Sequence, residues 1–260
     1  MVRDADGLGD DVMAAFARET RLSETTFVQS SKAKGATYRN RIFTVAGEIP
    51  FAGHPSLGTA IAVAAARGER ETTYVQETGV GLQPIDVRLD EDGGYASMLQ
   101  EPAEFGPEVD TPHVLAAIGL VIGEGHRELP PQVVSTGLPT LIVPVLEVAC
   151  VGRAEPDFDL IDTLAERHGF LNFYVVCLKD DKHVRARMFA SAVVGGEDPA
   201  TGSAAGPLCA YLAQHGVTDE VEITQGVEMG RPSRLLAKME NGRPRVGGDV
   251  VRVVEGEVLL

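Results

Sequence analysis

Phe51-Ala-Gly-His-Pro-Ser-Leu-Gly-Thr-Ala-Ile-Ala-Val-Ala-Ala-Ala66 and Gly195-Gly-Glu-Asp-Pro-Ala-Thr-Gly-Ser-Ala-Ala-Gly206 share one layout. In each, a turn rich in glycine, proline and small hydroxyl residues runs into an apolar helical segment. The second continues as Pro207-Leu-Cys-Ala-Tyr-Leu-Ala-Gln-His-Gly216. His54 matches Asp198, Pro55 matches Pro199, Gly58 matches Gly202, Thr59 matches Ser203 and Ala60 matches Ala204. A helix that opens this way leaves backbone N–H groups unpaired at the positive end of its dipole, which makes a ready anion site. Each proline fixes φ near the first turn. Two helix starts of one design predict a duplicated domain with two facing mouths.

Working outward, a chain of 260 residues has room for two domains of ordinary size. Many short strand patterns, hairpins within each half and one strongly apolar helix per half predict an α+β fold. A helix as apolar as Leu57 to Ala66 needs burial around most of its circumference, which a curved sheet wrapped round it provides. A parallel doubly wound sheet fits worse, because strands and helices do not alternate. Asp10 to Thr20 reads as an amphipathic helix with acidic residues in its first turn. Asp90-Glu-Asp-Gly-Gly94 reads as a hairpin turn. Asp157 to His168 reads as an amphipathic helix closed by Gly169. The polar stretch Gln100 to Gly106 is the expected linker, giving domains 1–106 and 107–260.

The formal charge of −15 argues against nucleic acid, whose binding rests on Lys and Arg, and against an anionic membrane surface. No run approaches the ~18 apolar residues of a membrane span. Met1 to Gly7 lacks the basic and apolar regions of a signal peptide. Cys150, Cys177 and Cys209 sit singly in apolar surroundings, so neither a disulfide framework nor a zinc site is indicated. They read as small core residues of a protein in a reducing, cytoplasmic compartment.

Four side chains could carry chemistry, and each also has a plain structural reading. Glu24, flanked by Ser23, Thr25 and Thr26, could be a solvated strand-end carboxylate. His54 precedes a proline at a helix start, where the dipole disfavours its cationic form. Asp198 could be an N-cap, and Ser203 a small residue permitting close packing. Together they suggest more. Two sets of unpaired N–H groups can hold a carboxylate or a developing enolate, while carboxylates and an imidazole nearby can move protons. That fits proton transfer beside a carbonyl or conjugated acid without a cofactor. Gly202-Ser-Ala-Ala-Gly206 is not a nucleophile elbow, and no phosphate or dinucleotide fingerprint is present. His54 has no second ligand at metal spacing, so no metal is expected.

These segments, with Leu22-Ser-Glu-Thr-Thr-Phe27, Glu77-Thr-Gly-Val-Gly-Leu82 and Gln225-Gly-Val-Glu-Met-Gly-Arg-Pro-Ser233, resemble the phenazine-biosynthesis isomerase-like family. Its fold is that of diaminopimelate epimerase. The resemblance covers nearly the whole chain. It implies two similar domains, each a rolled, mostly antiparallel sheet around a central helix, with the active site between them. It also implies a cofactor-free isomerase that forms a homodimer and acts on a small carboxylic acid, a hydroxylated dihydroanthranilate in the best-studied branch. Carried over by motif, Glu24 is the acid/base, with His54 and Asp198 beside it as secondary proton-transfer or hydrogen-bonding groups. Gly53, Gly202 and Ser203 present donors to the substrate carboxylate. Thiol racemases of this fold carry a cysteine at each mouth; His54 and Asp198 stand there instead, which disfavours that mechanism. Relatives begin with a strand and a Gly-Asn-Pro loop upstream of Asp4-Ala-Asp-Gly-Leu8, so the N-terminal sheet is expected to lack its first strand and expose an edge. The competing expectation is a non-catalytic binder of small carboxylates that keeps both mouths.

Overall fold

The computed structural model describes residues 1–193 and 195–258. The chain forms two compact units, one of residues Met1–Met98 joined by the segment from Gly247 onward, the other of Leu99–Val246.

The first unit contains α1 (Asp10–Thr20), β1 (Thr25–Gln29), β2 (Tyr38–Thr44), β3 (Gly47–Ile49), α2 (Gly53–Arg67), β4 (Glu71–Thr78), β5 (Gly81–Leu89) and β6 (Gly93–Leu99). Its strands run in the order β1-β2-β4-β5-β6, with β3 folded back on β2. The pairs β1–β2, β4–β5 and β5–β6 are antiparallel, and β2–β4 is parallel. β1 ends this order, and Val2 bridges to its Phe27. Met13 and Ala17 bury the inner face of α1 against Phe27 and Phe43, whose rings meet edge to face at 5.4 Å. α2 is small-residued on nearly every side, and lies against β1, β2 and β5 with Leu57, Ala60, Ile61 and Ala64 in the core. The sheet therefore curls round the helix, as its all-round apolarity requires. Gly68 ends α2 with φ 71°, a left-handed cap that glycine adopts without strain.

The second unit contains β7 (Glu104–Glu108), α3 (Thr111–Ala116), β8 (Gln132–Ser135), β9 (Pro139–Pro144), α4 (Val148–Arg153), α5 (Phe158–His168), β10 (Asn172–Leu178), β11 (His183–Phe189), β12 (Glu197–Asp198), α6 (Gly202–Gln214), β13 (Glu220–Gln225), β14 (Ser233–Glu240) and the start of β15 (Arg243–Val251). From β15 the order is β14-β13-β11-β10-β9-β8-β7, with β12 on β11. Only β9–β10 and β11–β13 pair in parallel among the registers described. β10 is buried along almost all its length because both faces are covered. Tyr174 and Val176 meet α6, while Phe173, Val175 and Cys177 join the core formed with α3, α4 and α5. α6 lies on β8, β9, β13 and β14 and is buried from Ala204 to Leu212.

The mixed architecture and its mostly antiparallel pairing match the α+β expectation. Three local expectations need correction. Residues 104–108 of the expected linker form β7 on β8, and Gln100 is held fast: its N–H donates to Pro244 O and its Nε2 to Gly202 O, while Thr136 Oγ1 donates to its Oε1. A polar stretch of this kind reads as a loop because its partners are distant in sequence, from β8 and Thr136 to Gly202 and Pro244. The units are also not contiguous halves, since β15 returns the chain from Gly247 onward to the first unit rather than leaving it in 107–260. The helix Val148–Arg153, with Cys150 and Val151 buried, has no counterpart in the sequence reading.

Candidate active site

Glu24 lies immediately before β1, and His54 is the second residue of α2. Their side chains meet, with Glu24 Oε2 2.9 Å from His54 Nε2. The carboxylate is 19% exposed and the imidazole 52%, so the pair is reachable from solvent while Glu24 is largely enclosed. One step along β1, the buried hydroxyls of Thr26 and Thr59 meet at 2.7 Å. That bond ties β1 to the second turn of α2 and so sets the distance between Glu24 and His54.

The pair stands in a cavity of about 690 Å³ within the first unit. Pro55, Gly58 and Thr59 line it beside the pair, and it continues past Ile61, Ala62 and Ala65 to Gly93 and Asp249–Val251. Ala52, the residue capping α2, supplies no side-chain acceptor. The N–H of Gly53, the first residue of α2, consequently has no acceptor within the helix. A Cβ added at Gly53 or Gly58 would meet nothing within 4 Å, and neither residue has positive φ. Neither steric crowding nor backbone conformation calls for glycine there. What glycine does supply is a bare backbone that a ligand can approach closely.

The second mouth differs from the first. α2 already begins at Gly53, but α6 begins only at Gly202, the position that matches Gly58. Asp198 is not the N-cap; Thr201 holds that position. Two constraints keep 197–201 out of the helix. Glu197 and Asp198 pair with Phe189 and Met188 of β11, and the buried amide of Gln225 bonds both Asp198 and Thr201. Asp198 Oδ2 accepts from Thr201 Oγ1 at 2.6 Å. Ser203, in the first turn of α6, has Asn172 Nδ2 at 3.5 Å from its Oγ. A Cβ on Gly202 would make only an ordinary contact, 3.9 Å from Val246 Cγ1. Asp198, Gly202 and Ser203 belong to the second unit and line no part of the cavity at Glu24.

Chemically, Glu24 and His54 can share a proton or pass it to an atom lying against them. The thiols cannot substitute for them. Cys177 is pushed up to about 11 and Cys209 to about 12, each mainly by burial. Among the described residues, no group of three or more His, Cys, Asp or Glu is arranged to hold a metal. Thr59 and Gln225 carry structural weight that the sequence reading did not assign. Thr59 was visible as the counterpart of Ser203. Gln225 was visible as the first residue of the Gln225–Ser233 motif and as the polar end of an alternating strand, neither of which gives its partners.

Comparison with known proteins gives a consistent picture. The family described as Phenazine biosynthesis-like protein matches residues 1–256. The trans-2,3-dihydro-3-hydroxyanthranilate isomerase of Pseudomonas aeruginosa is 38% identical over 267 residues, covering 99% of this chain and 91% of its own. A phenazine biosynthesis protein of the PhzF family from Bacillus anthracis superposes with a TM-score of 0.84 at 30% identity, covering 99% of this chain and 91% of its own. A hydroxyproline epimerase from Agrobacterium vitis, at 13% identity and a TM-score of 0.60, shares the fold over 88% of this chain and 74% of its own.

Proposed function

The chain belongs to the Phenazine biosynthesis-like protein family and is an isomerase, and from that premise we propose a cofactor-independent proton transfer on a small carboxylic acid. Glu24 takes a proton from one substrate carbon and, after exchange with solvent, delivers one at another. His54 steadies the carboxylate and relays protons through Nε2. The N–H groups at the starts of α2 and α6, at Gly53, Gly202 and Ser203, hold the substrate carboxylate, and Asp198 serves the same reaction as a hydrogen-bonding partner. The observation that carries this reading is the 2.9 Å contact between Glu24 and His54 in the lining of a cavity large enough for a substituted six-membered ring.

The substrate to try first is trans-2,3-dihydro-3-hydroxyanthranilate, on which the Pseudomonas aeruginosa relative is named to act. In heavy water the enzyme should isomerise it with deuterium entering the ring, and Glu24→Gln should abolish the uptake while the fold survives. Uptake retained in Glu24→Gln removes that residue from its role. Saturable binding of the acid with no isotope exchange would favour the non-catalytic binder. The family resemblance supports a homodimer, which light scattering of the purified chain tests.

A further inference from the structure

Gln225 ends β13 with no solvent exposure, and its amide makes four hydrogen bonds. Nε2 lies 2.6 Å from Asp198 O and 2.9 Å from Thr201 Oγ1. Oε1 lies 3.3 Å from Thr201 N and 3.0 Å from the Tyr174 hydroxyl. Two of these partners have fixed roles, and they settle the orientation of the amide. A backbone N–H only donates, so Oε1 must face Thr201 N; a carbonyl only accepts, so Nε2 must face Asp198 O. The remaining directions follow. Tyr174 donates to Oε1, and Thr201 Oγ1 receives the second Nε2 hydrogen. Thr201's own hydroxyl hydrogen therefore goes to Asp198 Oδ2, 2.6 Å away.

Gln76 in β4 of the first unit, equally buried, accepts from Asn40 Nδ2 at 3.0 Å and has Gln83 Oε1 3.5 Å from its Nε2. Burial, with the Asp198 charge adding to it, raises the Tyr174 hydroxyl far above its ordinary value. The donor at the head of the chain thus stays protonated across the working range.

We propose that Gln225 is a positioning residue for the isomerase reaction: through Thr201 it holds Asp198 as a hydrogen-bond acceptor and keeps 198–201 out of the helix. The N–H groups of Gly202 and Ser203 are then the ones that α6 offers to a substrate carboxylate. This inference rests on the isomerase reading, with Asp198 taking part in the reaction.

The test measures kcat and KM for deuterium uptake into trans-2,3-dihydro-3-hydroxyanthranilate by the full chain and by Gln225→Met, Thr201→Val and Thr201→Ser. Gln225→Met and Thr201→Val should each lose at least thirtyfold in kcat with KM within threefold, and Thr201→Ser should recover to within threefold of the parent. A folded Gln225→Met or Thr201→Val with kcat within threefold of the parent overturns the proposal. So does a Thr201→Ser as impaired as Thr201→Val. If Gln225→Met does not fold, the two Thr201 variants decide. If the parent chain takes up no deuterium, the isomerase reading fails on its own, and amide hydrogen exchange at position 201 decides the positioning role. Exchange at least tenfold faster in Gln225→Met or Thr201→Val, with Thr59 unchanged, sustains the clamp; unchanged exchange at 201 refutes it.

Discussion

Glu24 Oε2 and His54 Nε2 stand 2.9 Å apart although one precedes a strand and the other opens a helix thirty residues on. Their meeting depends on a second contact one layer deeper, the 2.7 Å bond between the buried hydroxyls of Thr26 and Thr59. The deeper pair is structural and the outer pair, in our account, chemical.

That division can be tested by unfolding. Thr59→Val keeps the shape but leaves the Thr26 hydroxyl buried without its partner, which should cost about 1–3 kcal/mol in urea denaturation. Thr26→Val should cost a similar amount, and the double variant should cost clearly less than the sum of the two. Strict additivity would show that the hydroxyls do not depend on each other.

Three glycines separate ligand approach from packing. Gly53→Ala adds a methyl group to open space at the start of α2, so thermal stability should hold or rise by up to ~1 kcal/mol. Turnover should nonetheless fall at least tenfold, with KM for the substrate acid rising. Gly202→Ala should behave alike. Gly206→Ala should do the reverse and destabilise, because its Cβ would fall on Gln100 Oε1, the atom that accepts from Thr136. Equal loss of stability at all three positions would contradict the distinction.

How much of this was legible beforehand differs from element to element. α1 announces itself through periodicity, α2 and α6 through a Gly- and Pro-containing turn that runs into an apolar segment, and the hairpin turn between β5 and β6 through its Asp and Gly residues. The pairing of Glu24 with His54 is not written in spacing, since nothing local indicates which strand approach meets which helix. The family motif named both residues and left their distance open. The expected linker failed for a similar reason: Gln100 is polar, yet its hydrogen bonds reach Gly202 and Pro244. The equivalence of the two mouths held for residue types but not for backbone. Met188 and Gln225 draw Asp198 into a strand pair where His54 is helical.

Beside Asp198, the ion pair of Glu197 anchors β12. Arg187, 8% exposed, donates to both Glu197 oxygens at 2.8 Å and also to Val151 O and Ala154 O. Arg187→Ala leaves the largely enclosed Glu197 carboxylate and the Ala154 carbonyl without the guanidinium. It should cost about 3–5 kcal/mol by chemical denaturation. A loss below 1 kcal/mol would mean that water replaces the guanidinium there.

Acid sensitivity has a local reporter among residues that take no part in the site. The Asp180 carboxyl is held at about 2 by the Lys182 N–H, the His183 ring and the His183 N–H. Its pKa is depressed in the fold, so its support is complete above the unfolded value near 4 and is lost as pH falls through 2. Asp180→Asn should lower stability at neutral pH and flatten its decline between pH 4 and pH 2, so that variant and parent converge toward pH 2. An unchanged acid limb would assign that decline to other carboxylates.

The claim that carries the rest is that Glu24 moves the proton. Mass spectrometry of trans-2,3-dihydro-3-hydroxyanthranilate incubated with the enzyme in heavy water measures it directly. The parent chain should place one deuterium in the isomerised product, and Glu24→Gln should slow that uptake by about 10²–10⁴-fold with an unchanged melting temperature. A folded Glu24→Gln that incorporates deuterium at the parent rate would contradict the account.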